Sequence, residues 1–369
     1  MKKLNICLVS LVIAPDQQDG SAKFFTGIYN YLKKQGHNIK LITGKWNVDL
    51  KDPDIIQVNL IRKSFLWMPQ FYLSVVKFIR SHQFDIVHGN GPKGSLPLLF
   101  FNKNRFISTI HDLGPYETKF SLFPIEKFLI TRTAKKASYL TTCSDFIRRE
   151  INYFIPEVNL NNIFNLYSAI EDKFKPYPKE AEKLKNKLKL EGPVLLYIGR
   201  IAHYKGVEDI IEAYKIAKKD IPNLNLVMGG NPDFSMEKIL QEWKRKYKDI
   251  RFVGFIKDNE IPYYYSMGDI FVTYSHAGEG FGLTPIEAIA CGTPVICSSM
   301  LAYKEVLKDN AIFVPPKSPK LLANEIVSLL KNDSIRKNLI DKAQKFIKRY
   351  TWDIVGKKLE EVYQKFLTE

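Results

Sequence analysis

The sequence predicts an α/β protein built as two Rossmann-like, doubly wound domains facing one another across a cleft. Three observations carry this expectation. Short apolar runs alternate with longer amphipathic ones, the pattern of strand–helix–strand units that build a parallel sheet covered on both faces. The alternation breaks once, over residues 172–193, where a Lys/Pro stretch and a Lys/Glu-rich stretch end at Gly192 and Pro193; it then starts again, as it does across a linker. The length of 369 residues also suffices for two separate cores. The expected division is 1–172 for the first domain, 173–350 for the second and 351–369 for a terminal helix.

Residues 4–12 read as the first strand. Lys2, Lys3 and the apolar run behind them imitate a secretion leader, but Asn5 interrupts the run and residues 15–20 offer no small-residue cleavage site, so a buried strand fits better. Residues 22–35 read as a helix closed by Gly36, and 39–43 as a strand. Asp52, Pro53 and Asp54 lie ahead of a strand and read as a turn, so no metal ligands are expected. Residues 55–84 hold no acidic residue. Arg62, Lys63, Lys77 and Arg80 are interleaved there with Phe65, Leu66, Trp67, Met68, Phe71 and Tyr72, which suits either a core helix with solvated basic ends or an amphipathic surface helix. Pro69 marks a break or a late helix start. Further strands fit 85–88, 105–110 and 139–142. Ligands of such sheets bind at the carboxyl ends of strands, which makes His88 and His111 candidates.

In the second half, strands fit 194–198, 224–228, 251–252, 270–275 and 295–297, and helices fit 207–218, 236–247, 285–291 and 319–330. Residues 352–367 read as a last helix with Trp352, Val355, Leu359, Val362, Tyr363 and Phe366 on one face.

Composition narrows the class. No apolar stretch is long and uncharged enough to span a bilayer. The four cysteines (Cys7, Cys143, Cys291 and Cys297) form no paired motif and read as buried thiols in a reducing compartment. The net charge of +16 is high, yet residues 1–172 carry 22 Lys and Arg against 14 Asp and Glu, half of the excess. A nucleic-acid binder would gather its charge on one face with a recognition motif. The even split argues against that class and leaves phosphate-bearing ligands and anionic membrane surfaces as partners.

Two stretches carry chemistry. Gly199, Arg200, His203, Tyr204, Lys205 and Gly206 follow a strand and open into a helix at Val207. Two cations at a strand end beside a helix N-terminus suit a diphosphate, Arg200 as a planar fork and Lys205 as a point charge. Later, Glu279 and Glu287 flank a turn containing Phe281, Gly282, Leu283 and Thr284. Residues 284–287 read as a capping box with Pro285 at the first helical position. The turn also presents backbone N–H groups at a helix N-terminus, a phosphate-binding geometry.

Together with Gly229 and Gly230 after a strand, the 253–256 segment and the exit through Gly292, Thr293 and Pro294, these stretches occur in an order and spacing that resemble a family-four retaining glycosyltransferase of the GT-B fold (glycosyl transferases group 1). The likeness is dense in the second half and sparser in the first, through Gly20, Gly36, His37, residues 85–88, His111 and Asp112. It implies an acceptor-binding first domain, a nucleotide-sugar-binding second domain and a last helix crossing back to the first. It implies that Arg200 and Lys205 bind the donor diphosphate and that Glu287 accepts hydrogen bonds from the ribose. Glu279 and His111 would lie near the sugar. Gly20, Gly230, Thr284 and the N–H groups of Phe281, Gly282 and Leu283 would border the phosphates, and Gly254, Phe255 and Ile256 the base. Ser21 and Asn90 depart from the family pattern, which often has glycine and histidine there. The implied reaction is metal-independent sugar transfer from a nucleoside-diphosphate sugar, without cofactor, to a glycan or lipid-linked hydroxyl acceptor. The expected location is cytoplasmic, at the inner face of the membrane, with contact through residues 62–80 and no nucleic-acid partner. The alternatives are a nucleotide-sugar isomerase or epimerase on the same fold, or an inactive or nucleic-acid-binding relative.

Overall fold

The computed structural model describes residues 3–17, 19–61, 66–100, 105–117 and 124–369. They form two compact units, Met1–Ala169 with Trp352–Glu369, and Ile170–Thr351.

The first unit holds a seven-stranded sheet: β1 (Asn5–Ser10), β2 (Asn38–Lys45), β3 (Ile55–Asn59), β4 (Ile86–Asn90), β5 (Ile107–Ile110), β6 (Tyr139–Thr142) and β7 (Ile163–Asn165). The order is β3-β2-β1-β4-β5-β6-β7, and every pairing is parallel. The strands alternate their side chains between faces. Ile6 and Leu8 pack under the helix Gly20–Lys34 and the last helix, Trp352–Thr368, while Cys7 and Val9 pack under the helix Trp67–Arg80. The last helix buries Val355, Leu359, Val362, Tyr363 and Phe366, and Trp352 stacks on Phe24.

The second unit holds β8 (Val194–Ile198), β9 (Asn225–Gly229), β10 (Ile250–Gly254), β11 (Ile270–Thr273), β12 (Val295–Ser298) and β13 (Ile312–Val314). Their order is β10-β9-β8-β11-β12-β13, again parallel throughout. Leu195, Tyr197, Leu226 and Met228 face the helices Val207–Ala217 and Pro319–Lys331. Strand order reverses between β1 and β4 in the first sheet and between β8 and β11 in the second. Crevices at the carboxyl ends of such reversal points are where ligands of open α/β sheets bind.

Four expectations change. The helix expected to begin at 22 begins at Gly20, because the Asp19 carboxylate accepts the Ala22 N–H and caps it there. The stretch after 172 is no free linker: Lys173 pairs with Asp258 and Glu171, and the Tyr177 N–H donates to Ser266 Oγ, so it lies packed within the second unit ahead of the surface helix Pro178–Leu188. The basic aromatic segment starts its helix late, at Trp67, with Pro69 inside the first turn, where no intrahelical N–H is needed; Arg62, Lys63 and Phe65 lie outside the described residues. Lastly, β4 runs on to Asn90, so His88 is interior to a strand. All four cysteines are buried and none is in a disulfide.

Candidate active site

At the second unit's reversal point, β8 leads into Gly199 and Arg200 and then a short turn to Gly206. Gly206, in the left-handed conformation, is the N-cap of the helix Val207–Ala217. The Lys205 ammonium donates to Glu279 Oε1, which also accepts from Ser275 Oγ at 2.5 Å. The buried Tyr303 hydroxyl lies 3.4 Å from Ser275 Oγ and 3.1 Å from Thr273 Oγ1, completing a polar knot behind the pair. Burial and the neighbouring Glu279 charge push the Tyr303 phenol well up, so it stays protonated. Lys205 and Glu279, 74 positions apart, thus meet as an ion pair with little solvent exposure. Arg200 is exposed, and its backbone carbonyl accepts from Tyr197 OH at 2.6 Å.

The loop that carries Glu279 is clasped to the helix beside it. The His276 N–H donates to the Tyr204 carbonyl at 2.7 Å, and His276 Nε2 lies 2.8 Å from Asp209 Oδ2 in the first turn of Val207–Ala217.

The capping box does not form. The helix Leu283–Ala290 starts two residues earlier, with Gly282 as a left-handed N-cap that makes no side-chain bond. A Cβ on Gly282 would also sit 2.7 Å from the Tyr303 ring, so glycine is required there twice over. Thr284 and Pro285 fall inside the first turn. The Glu287 side chain turns instead into the core, where its Oε2 accepts from Tyr265 OH at 2.9 Å. Phe281 is buried edge-on against Tyr350.

Backbone alone lines the next strand end. The Gly199 N–H donates to the Gly229 carbonyl and the Gly230 N–H to the Gly254 carbonyl. A Cβ on Gly230 would lie 1.8 Å from the Gly199 oxygen, so no other residue fits. After Gly254, Phe255 is exposed and Ile256 is buried against Gly229.

The first unit's reversal point forms a cavity of about 390 Å³ whose lining includes Ser10, Asp19, Asn90 and His111. Its one lysine, Lys93, is paired with Glu126 at 3.2 Å. Asn90 Nδ2 faces the Ser21 carbonyl at 3.3 Å and Ser10 Oγ at 2.8 Å. A carbonyl can only accept, so Asn90 Oδ1 faces His111 Nε2 at 2.7 Å. His111 must therefore donate from Nε2, which leaves Nδ1 as an acceptor. Burial pushes the His111 pKa down to about 4, against the opposing pull of Asp19, so the ring is neutral at pH 7. His88 is fully buried, with Nδ1 2.8 Å from Tyr363 OH and Nε2 2.8 Å from Thr109 Oγ1. Burial, and secondarily the charge of His111, push its pKa down to about 3, so it is a core residue. Gly20 is the first residue of its helix. The Asp52 and Asp54 carboxylates are taken by Lys33 and Lys40.

Reading the sequence misses Asn90 as the partner of His111, the Ser275–Tyr303 support of Glu279, the Tyr265 partner of Glu287 and the His276–Asp209 clasp. Only Asp19 left a readable signal, an acidic residue three positions ahead of Ala22 at a helix start.

Comparison with known proteins gives the class. The family model described as glycosyl transferases group 1 matches residues 178–346, and the one described as glycosyltransferase family 4 matches residues 18–159. Together they cover most of the chain, which belongs to the group 1, family-four glycosyltransferases and has their GT-B fold. It is 26% identical over 288 residues to the O-antigen chain mannosyltransferase B of Escherichia coli, covering 74% of this chain and 73% of the relative. It is 24% identical over 314 residues to the phosphatidyl-myo-inositol mannosyltransferase of Mycobacterium tuberculosis, covering 80% and 78%. Among solved structures it is similar to Alr3699/HepE of Anabaena in complex with UDP and glucose, with TM-score 0.78, 17% identity and coverage of 98% and 99%.

Proposed function

We propose that this glycosyltransferase moves a sugar from a nucleoside-diphosphate sugar to a hydroxyl of a glycan or lipid-linked acceptor, with retention at the anomeric carbon and without metal or cofactor. The observation that carries the reading is the Lys205–Glu279 pair at the second sheet's reversal point, between two helices whose N-caps are glycines without side-chain bonds. Uncapped helix N-termini suit phosphate oxygens. Charge gathering on a departing diphosphate is what such a site has to stabilise. Arg200 and Lys205 take that charge, and Glu279 aims the ammonium and meets the sugar hydroxyls. The N–H groups of Phe281, Gly282, Leu283 and Thr284 meet the phosphates, with Gly230 as bare floor. Glu287, fixed by Tyr265, accepts from the ribose, and Gly254, Phe255 and Ile256 border the base. His111 offers its Nδ1 to a sugar hydroxyl, and Gly20 leaves room at the helix start.

A glycan or lipid acceptor is supported by the names of the two relatives. Contact with an anionic membrane at the cytoplasmic face is supported by the helix Trp67–Arg80, which exposes Leu73 at 71% beside Lys77 and Arg80. No helix of the described residues is long and apolar enough to cross a membrane.

The test is calorimetric titration with UDP, GDP and ADP, followed by transfer assays with and without chelator and assignment of the product's anomeric configuration by NMR. One nucleotide should bind, and Arg200→Ala and Lys205→Ala should each weaken it about 10- to 100-fold, the range for one charge-assisted contact. If both variants bind as wild type does, the diphosphate lies elsewhere; an inverted product or chelator-sensitive transfer would refute retention or metal independence.

A further inference from the structure

The second unit's sheet ends in an edge strand, β10, which pairs with β9 alone among the described strands. Along that edge runs an open groove of about 460 Å³. Its charged lining is all of one sign: Lys187 from the helix Pro178–Leu188, Lys244 from the helix Glu237–Lys246, Lys248, and Arg251 of β10 itself. The nearest acid in sequence, Asp249, is turned away, its carboxylate held at 2.8 Å by Lys218 and 2.9 Å by Tyr214 OH. No carboxylate therefore neutralises the groove from within its lining. Arg251 is also set in place before any ligand arrives. Its Nη1 donates to the Lys248 carbonyl at 3.1 Å and its Nε to the Leu188 carbonyl at 3.4 Å, and it keeps further N–H groups for an anion. Between the cations lie the rings of Tyr247, Phe252 and Tyr264, each half-buried.

We infer that this groove is a binding site for an anionic glycan chain, carrying carboxylates or phosphates, separate from the donor site. Fixed and flexible cations spaced along a groove match a chain with repeated negative charges, and the half-buried aromatic side chains between them suit the apolar C–H faces of pyranoses. Single-stranded nucleic acid carries similar charge, but it seeks protruding flat rings on which bases stack, and each ring here is half-buried. The inference adds a holding point for a charged polymer to a glycosyltransferase whose donor chemistry lies elsewhere in the same unit.

The experiment uses the full chain, with an oligogalacturonate, a dextran oligosaccharide and a single-stranded DNA of matched length as probes, titrated by fluorescence anisotropy across a salt series. The oligogalacturonate should bind about tenfold or more tighter than dextran and weaken steadily with salt, as counterion release requires. A combined Lys187→Ala, Lys244→Ala, Lys248→Ala variant, all at exposed positions, should lose that binding about tenfold or more. Its nucleoside-diphosphate affinity should be unchanged, so a failure here is distinguishable from a failure of the donor site. Equal binding of dextran, full retention of binding in the triple-lysine variant, or tighter binding of the DNA would each overturn the inference.

Discussion

In both units the helix that follows the first strand starts at the edge where ligands bind, but the two starts are built from opposite chemistry. In the first unit Asp19 caps Gly20–Lys34 with a carboxylate, and Ser21 donates to the same group; further along the edge Ser144 caps Asp145–Phe154 in the same manner. In the second unit Gly206 stands at the corresponding first helix start, and Gly282 at the start that follows β11; neither contributes a side chain. At the start of Gly20–Lys34 the first unit thus satisfies a helix-end donor with its own carboxylate, whereas at Val207–Ala217 the second unit supplies no side-chain cap. In the first cavity His111 is held neutral and Lys93 is paired with Glu126, while in the second unit Lys205 is paired with Glu279 and Arg200 is exposed.

If the first unit depends on neutral, desolvated histidines, acid should damage it most. The unfolded chain binds a proton at each histidine near the ordinary pKa of 6.5, whereas the folded chain does so only near 3 at His88 and 4 at His111. Their contribution is therefore intact above 6.5 and falls as pH descends through that window. At about pH 4.5 the loss is of the order of 2 kcal/mol for each, given roughly 1.4 kcal/mol per pKa unit. Thermal melts should show a drop between neutral pH and about 4.5 that shrinks in His88→Gln. An unchanged slope in that variant would place the acid sensitivity elsewhere.

A smaller effect probes the second unit. His276→Ala removes the bond to Asp209 that clasps the Glu279 loop; it should destabilise the fold by about 1–2 kcal/mol and raise the donor KM more than it lowers kcat. A KM equal to wild type would mean that the loop holds its place without the clasp. The smallest change expected is in Asp19→Asn, since asparagine caps as well as aspartate. The melting temperature and nucleotide affinity should both stay near wild type. A clear rise in nucleotide affinity would break the contrast between the units, because it would mean that the Asp19 charge had been repelling the donor.

Much of this layout was readable beforehand. Strands 139–142 and 194–198 and the helix start at Val207 match the expected positions; the apolar run 194–198 is bounded by Pro193 and Gly199. The three-residue edge strands β7 and β13 passed unnoticed, being too short for any alternation to register. The capping box over 284–287 was a sound local signal overruled by Gly282, whose positive φ and packing on Tyr303 depend on residues far along the chain. The site's residue types were legible while its pairings were not. Lys205 with Glu279, Asn90 with His111 and His276 with Asp209 are separated by 74, 21 and 67 positions, and nothing in a single sequence marks such partners.

The chain's route through the two units sets an order of assembly. The second unit is one continuous segment whose ends meet: Ile170 bridges to Thr351, and its N–H donates to the Tyr350 carbonyl at 2.7 Å. The first unit is split around that segment and lacks its final helix, including the Tyr363 partner of His88, until the last residues are made. During synthesis from the N-terminus, the inserted unit can close its core while the first sheet still lacks the part of its cover that Trp352–Thr368 supplies beside Gly20–Lys34. The joined ends also make 170–351 the natural excision or circular-permutation segment of this protein.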